Sequence, residues 1–132
     1  TWPLRIQLPV GTQVPFHCTA SGKMYLSSLK PRLFAKYLSI VTLDAHTSHT
    51  VTNPDKLSAE IEVIRERGYS TDNEEFMESM VAVAVPLFDA QGRLMSTLSI
   101  HAPTQRISLK GLEEHLPRLQ EAAGDLSELV RD

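Results

Sequence analysis

The sequence predicts an α+β domain in which helices pack on one antiparallel sheet. Two strand-like segments, 80–88 and 93–102, are separated by four turn-forming residues, which is the pattern of a hairpin. Apolar residues recur at helical spacing in four other segments. The strands are too few for a sandwich, and the helices do not alternate regularly with them as a parallel sheet would require. The length of 132 residues is that of one domain.

The first third of the chain predicts a strand followed by two helices. Apolar and polar residues alternate over 4–8, which indicates a strand, and turn residues follow it. A helix begins near Thr19 or Ser21, either of which can cap it, and ends near Leu29. Pro31 suits the first turn of a second helix, which presents a broad apolar face.

The middle of the chain contains a loop and a strongly patterned helix. Residues 43–52 are rich in Thr, Ser and His and predict a loop. Asn53 can cap a helix over 54–67, Pro54 fits its first position, and Gly68 fits its C-terminal end.

The last third predicts the hairpin and one long helix. Residues 80–88 form a nearly continuous apolar run rich in valine, as a buried strand requires. Ser108 can cap the final helix, whose apolar stripe runs to Leu129, and Pro117 inside it predicts a kink.

Composition excludes several function classes. Thirteen basic residues against sixteen acidic ones give a net charge of −3, with no basic cluster that could follow a phosphate backbone. A single cysteine, Cys18, excludes an internal disulfide and a multi-cysteine zinc knuckle, which suits a reducing compartment such as the cytoplasm. No stretch approaches the roughly 20 apolar residues of a membrane helix. The chain opens at Thr1 without an initiator Met, and we expect residues 1–132 to be part of a longer protein.

Catalytic and metal-binding motifs are weak. The sequence contains no GxSxG, HExxH or CxxC motif and no phosphate-binding loop, which lowers the expectation of an enzyme. His46 and His49 have a spacing that could hold a metal with Asp44, and His17 adjoins Cys18. A solvated loop whose side chains satisfy local backbone groups is the favoured interpretation. We therefore predict no catalytic residue, no metal and no cofactor.

Three features point to ligand binding. Small residues at the start of the helix near Ala20 and Ser21 leave N–H groups accessible to an anion. Strand alternation puts Thr97, Ser99 and His101 on one face, which either faces water or lines a polar pocket. Asp72 is by default an exposed loop carboxylate, although it could accept a hydrogen bond from a ligand hydroxyl.

Several stretches match a known family. The segment PFHCTASGK, from Pro15 to Lys23, resembles the signature with which IclR-type effector-binding domains begin their first helix. Further similarities follow in chain order, so that the resemblance runs from about Leu8 to the C-terminus: the paired Thr47 and Thr50, Leu57 with Arg65 and Gly68-Tyr69, the acidic turn at Asp72, Glu74 and Glu75, the Val83-Ala84-Val85-Pro86 strand, and Ser99-Ile100 with Pro103 and Arg106.

The resemblance implies a GAF-like sensor of a small carboxylate or aromatic acid in a bacterial transcriptional regulator. It implies that the sheet's opening strands and a DNA-binding winged helix-turn-helix precede residues 1–132, so that this chain reaches DNA only through that missing domain. It implies no membrane partner and a homodimer or homotetramer. Carried over residue by residue, it assigns the ligand carboxylate to the backbone of Ala20 and Ser21, polar contacts to Asp72, Ser99 and His101, and an apolar wall to Ile6, Val14, Met80 and Ala82.

Two positions depart from the family pattern. Ser79 replaces the glycine usual before the first hairpin strand, and His101 stands where a second serine is common. The ionisable His101 predicts a pH-dependent affinity for the ligand. Two alternatives stay open: a small hydrolase or isomerase that uses Asp72, Ser99 and His101, and a ligand-free dimerisation module whose polar sheet face is simply wet.

Overall fold

The computed structural model describes residues 15–130. The predicted strand over 4–8 and the predicted wall residues Ile6 and Val14 lie outside this range. Eight elements follow one another in the described chain: α1 Ala20–Ser28, α2 Pro31–Ile40, α3 Pro54–Arg67, β1 Ser70–Asn73, β2 Met80–Phe88, β3 Leu94–Pro103, α4 Leu109–Glu113 and α5 Leu116–Val130. None of the helices in this part of the chain combines the length and apolar character that crossing a membrane requires.

The strands form one antiparallel sheet in the order β1-β2-β3. The predicted α+β class and the predicted hairpin are confirmed. Strand β1 was not predicted, because its sequence Ser-Thr-Asp-Asn contains no apolar residue and has the composition of a turn.

The two faces of the sheet carry different side chains. On one face, Val81, Val83 and Val85 pack against helices α4 and α5, with Leu98 and Ile100 of β3 beside them. On the opposite face, the small side chains of Ala82 and Ala84 pack against Ala20 of α1. Helix α1 can therefore approach the sheet closely on this second face.

Helices α1, α2 and α3 enclose a second apolar cluster behind α1. Its fully buried members are Leu26, Leu57, Ile61 and Ile64. This cluster fixes the position of α1, because the side chains on the face of α1 that points away from the sheet pack against α3.

Helix α1 begins as the sequence predicts. Thr19 caps it by accepting a hydrogen bond from the N–H of Gly22 at 3.0 Å, and its hydroxyl donates to the carbonyl of Pro15 at 2.8 Å. A methyl group on Gly22 would lie only 2.5 Å from the Cα of Phe16. The incoming chain therefore folds tightly over the first turn of α1, and only glycine fits there.

The C-terminal helical region differs from the prediction. Ser108 caps a helix, as expected, but this helix is the short α4, and α5 begins anew at Leu116 with Pro117 in its first turn. Proline lacks the N–H that a continuous helix needs, and it suits a helix start. The predicted kink is therefore a break between two helices.

Ser79 has a left-handed backbone with a φ of 65°. Its N–H donates to a side-chain oxygen of Glu74 at 2.9 Å, and its carbonyl accepts from the N–H of Thr104 at 2.9 Å. These hydrogen bonds hold Ser79 in a conformation that glycine adopts with less strain. The serine that replaces the family's usual glycine therefore stands at a strained position.

Candidate functional site

The sheet register brings the predicted polar residues to one face. Asp72 pairs with Ala82, which in turn pairs with His101, so these three side chains form a row across β1, β2 and β3. Ser99 pairs with Ala84 in the next row. Directly paired residues of antiparallel strands share a face, and this is the face that α1 covers.

The N-terminal turn of α1 is attached to this face by side-chain hydrogen bonds. The hydroxyl of Ser70 on β1 donates to the carbonyl of Ala20, and the hydroxyl of Thr97 on β3 donates to Oγ of Ser21 at 3.0 Å. Ala20 is fully buried, whereas Ser21 is half-buried. The start of the helix is thereby fixed between the outer strands.

Two backbone donors at this helix start have no acceptor among the described residues. Within residues 15–130, the N–H groups of Ala20 and Ser21 donate to no protein acceptor, whereas the N–H of Gly22 serves Thr19. Unpaired N–H groups at the positive end of a helix dipole favour an anion.

Ser99 and His101 contact one another on β3. Oγ of Ser99 lies 3.2 Å from Nε2 of His101, and Ser99 is half-buried while His101 is exposed. Desolvation by the protein atoms around the ring lowers the pKa of His101 below 6.5, although its side chain still reaches solvent. Met80, at the start of β2, is buried and pairs with Pro103.

Asp72 is not the exposed loop carboxylate that the sequence predicted. It lies on β1, is only 5% exposed, and accepts the N–H of Glu75 at 2.8 Å. Burial raises its pKa, while the hydrogen bond from Glu75 and the charge of Lys23 act in the opposite direction. Asp72 therefore also holds the turn that leaves β1.

Sequence reasoning missed a buried ion network behind α1. The Nζ of Lys23 lies 2.8 Å from a carboxylate oxygen of Glu75 and 2.9 Å from one of Glu60, and the lysine side chain is fully buried. Burial raises the pKa of Glu75 despite this partner. In the part of the chain that the structure describes, Oε1 of Glu60 is buried without a hydrogen bond. A lysine in the first turn of a capped helix gives no sequence signal of such burial.

The geometry does not assemble the three residues of the enzyme alternative into a triad. Two strand spacings of about 4.8 Å separate the backbones of Asp72 and His101. Among residues 15–130, no hydrogen bond joins the Asp72 carboxylate to the imidazole, and Asp72 instead accepts a backbone N–H.

Comparisons with known proteins agree with this fold. Residues 1–128 match the family model described as the bacterial transcriptional regulator IclR C-terminal domain. The Probable transcriptional regulator SauR of Cupriavidus necator is 37% identical over 95% of this chain and 50% of its own length. The IclR protein of Thermotoga maritima is 35% identical with a TM-score of 0.85, over 100% of this chain and 53% of that one.

A liganded structure is also similar. The inducer-binding domain of the PobR transcription factor from Acinetobacter, a double mutant in complex with 3-hydroxybenzoic acid, has a TM-score of 0.89 and 27% identity, over 98% of this chain and 78% of that one.

The fold and these comparisons define the class of the protein as an effector-binding domain of a bacterial transcriptional regulator. The chain belongs to the IclR family of these regulators. It spans about half the length of the curated relatives that it matches.

Proposed function

We propose that this domain senses a small carboxylic acid, with aromatic acids as the leading class, at the sheet face beneath the N-terminal turn of α1. The observation that carries the proposal is that the N–H groups of Ala20 and Ser21 have no acceptor within residues 15–130 and lie over a face that also presents Ser99. Two convergent N–H groups at the start of a helix suit a carboxylate head group.

The rest of the ligand lies along the sheet in this proposal. Ala82 and Met80 are buried on this face of the sheet and provide its apolar surface. The family resemblance assigns Ile6 and Val14, which lie outside the described residues, to the same wall.

Asp72 accepts a hydrogen bond from a ligand hydroxyl. Its carboxylate already accepts hydrogen bonds from the backbone N–H groups of Glu75 and Phe76, and it has further lone pairs. The relative with bound 3-hydroxybenzoic acid supports a ligand that carries both groups.

Ligand binding controls transcription through the whole protein. We propose that a DNA-binding winged helix-turn-helix lies N-terminal to this domain, that the protein acts in the cytoplasm, and that it forms a homodimer or homotetramer. The ligand shifts the regulator only by as much as its affinity differs between two arrangements of that oligomer.

The Ser99–His101 contact has a binding role rather than a catalytic one in this account. The related proteins are transcriptional regulators, and the imidazole has no carboxylate partner among the described residues that would orient it as a general base. Incubation with ester and lactone analogues of the ligand should therefore give no product.

Thermal melting against a panel of small carboxylates and aromatic acids tests the proposal, with 3-hydroxybenzoic acid included as a probe. A ligand at a hundred times its dissociation constant adds about 2.7 kcal/mol to the free energy of unfolding. This raises the melting temperature of a domain of this size by several degrees. We expect at least one acid to raise the melting temperature of the protein, and its uncharged amide to do so much less.

A variant with Asp72→Asn and Ser99→Ala locates the site. Asparagine keeps an acceptor for the N–H of Glu75, so the fold is retained while the contacts with the ligand are weakened. Ser96→Ala is the matched control, because Ser96 is an exposed serine on the same strand. An equal rise in melting temperature in the parent and the double variant, or no rise with any acid, would contradict the proposed site.

A further inference from the structure

Three metal-binding side chains converge outside the proposed ligand site. A ring nitrogen of His17, Sγ of Cys18 and a ring nitrogen of His46 all lie within 4.8 Å of one another. His17 and Cys18 precede α1 and are buried, whereas His46 is exposed on the loop between α2 and α3. The sequence had suggested a different set, His46 with His49 and Asp44.

We propose that His17, Cys18 and His46 bind a divalent transition-metal ion of the Zn²⁺ class. Two imidazoles and one thiolate are ligands that zinc prefers, and three protein ligands leave a fourth position for water or another small ligand. The proposal rests on this juxtaposition of side chains and is independent of the carboxylic acid ligand.

The distances suit an ion after a small closure. Zinc–nitrogen bonds of about 2.0 Å and zinc–sulfur bonds of about 2.3 Å put tetrahedral ligand atoms roughly 3.3 to 3.8 Å apart. The present spread of up to 4.8 Å therefore needs movement of about 1 Å. His46 can supply this movement because its side chain is exposed and its ring contacts those of His17 and Phe76, whereas the other two ligands are buried.

The backbone that carries His46 is held in place. Its N–H donates to the hydroxyl oxygen of Thr50 at 3.0 Å, and that hydroxyl donates to the carbonyl of Glu75 at 2.6 Å. The hydroxyl of Thr47 donates to the carbonyl of Glu74 at 2.6 Å. The loop is thus attached to the turn after β1, and binding the ion orders only one further side chain.

His17 already has the second interaction that a metal ligand commonly makes. Its Nε2 lies 2.8 Å from the backbone carbonyl of Asp44. Donation from Nε2 to this carbonyl fixes the tautomer that leaves Nδ1 unprotonated, with its lone pair available to a metal. This hydrogen bond also connects the segment before α1 to the loop that carries His46.

Local charge favours a cation at the sulfur. Burial and the negative charges of Asp72 and Glu75, opposed by the positive charge of Lys23, raise the pKa of Cys18 to about 12. Without metal the thiol keeps its proton. On binding, the S–H bond breaks, a metal–sulfur bond forms, and one proton leaves to solvent for each ion, so affinity rises with pH.

Titration of the metal-free protein with Co²⁺ tests the site, followed by displacement with Zn²⁺. Thiolate-bound cobalt has a charge-transfer absorption that nitrogen and oxygen ligands do not give. We expect one ion per chain, this absorption, and its loss when Zn²⁺ is added. Absence of the absorption in the folded parent would overturn the proposal.

Two variants test the ligands Cys18 and His46, and a third variant is the control. Cys18→Ser should abolish the charge-transfer absorption, and His46→Asn should weaken Co²⁺ binding at least about tenfold without unfolding the exposed loop. His49→Asn is the matched control, because His49 is an exposed histidine of the same loop outside the cluster. Equal effects of His46→Asn and His49→Asn, or an absorption that survives Cys18→Ser, would contradict the assignment. His46→Asn decides the matter even if Cys18→Ser does not fold.

Discussion

At the scale of single residues, the buried ammonium of Lys23 forms ion pairs with the carboxylates of Glu60 and Glu75. Glu75 is itself buried, and its pKa is raised by desolvation even with Lys23 beside it. Removal of the lysine would leave this carboxylate inside the protein without a counter-charge, which costs more than the ion pair contributes when complete.

Lys23→Met should therefore destabilise the protein by about 3–5 kcal/mol near pH 7. The loss should shrink as the pH falls toward 5, because the folded variant raises the pKa of Glu75 further and binds a proton that the unfolded chain, with an ordinary pKa near 4.5, does not. Denaturant unfolding at both pH values measures this. Lys56→Met, at an exposed lysine, should change stability by less than about 0.5 kcal/mol at either pH. A loss that does not depend on pH would argue against an unpaired Glu75.

His101 should make the affinity for an anionic ligand depend on pH. Desolvation lowers its pKa below 6.5, so the free domain holds the neutral imidazole at neutral pH. A bound carboxylate favours the imidazolium, so binding takes up a proton and affinity rises as the pH falls from about 8 to about 5.5. Calorimetric titration of the acid identified by melting should show this slope in the parent and a flatter one in His101→Ser. Parallel slopes would exclude His101 as the titrating group.

At the scale of elements, the first turn of α1 depends on Gly22. A side chain there would meet the backbone of Phe16 at 2.5 Å, and backbone cannot move aside as a flexible side chain can. Gly22→Ala should lower the free energy of unfolding by about 2 kcal/mol or more and disturb the N–H groups of Ala20 and Ser21.

Gly124→Ala provides the matched control in denaturant unfolding. Its added methyl group meets nothing within 4 Å, and alanine replaces glycine inside α5, so stability should rise by about 0.5–1 kcal/mol. A Gly22→Ala protein as stable as the parent would show that the close approach over α1 does not exist in solution.

The sequence predicts elements that have capping residues and clear periodicity, and it fails where neither is present. Helix α3 has Asn53 at its start and Gly68 at its end, and its predicted bounds are the observed ones. Strand β1 has no apolar pattern, so Asp72 was assigned to an exposed loop. Burial of Lys23 and the meeting of His46 with Cys18 are products of tertiary packing, which no local pattern encodes.

At the scale of the whole molecule, the sheet separates two kinds of environment. One face and helices α4 and α5 form an apolar core, while the other face combines small and polar side chains under α1. The same α1 is held from behind by the cluster with α3 and by Lys23. We therefore expect α1 and α3 to move as one unit if a ligand displaces α1, because packed interiors shift between discrete arrangements.

The central claim is that the N–H groups of Ala20 and Ser21 receive the ligand carboxylate. Amide NMR spectra of the protein, recorded while the acid identified by melting is added, test it most directly. We expect the largest chemical-shift changes at the amides of Ala20 and Ser21, and we expect them to saturate with the affinity measured by melting. Amides in the middle of α3, such as that of Ser58, should move little. Saturating chemical-shift changes confined to other parts of the chain, with the amides of Ala20 and Ser21 unchanged, would contradict a carboxylate site at these two residues.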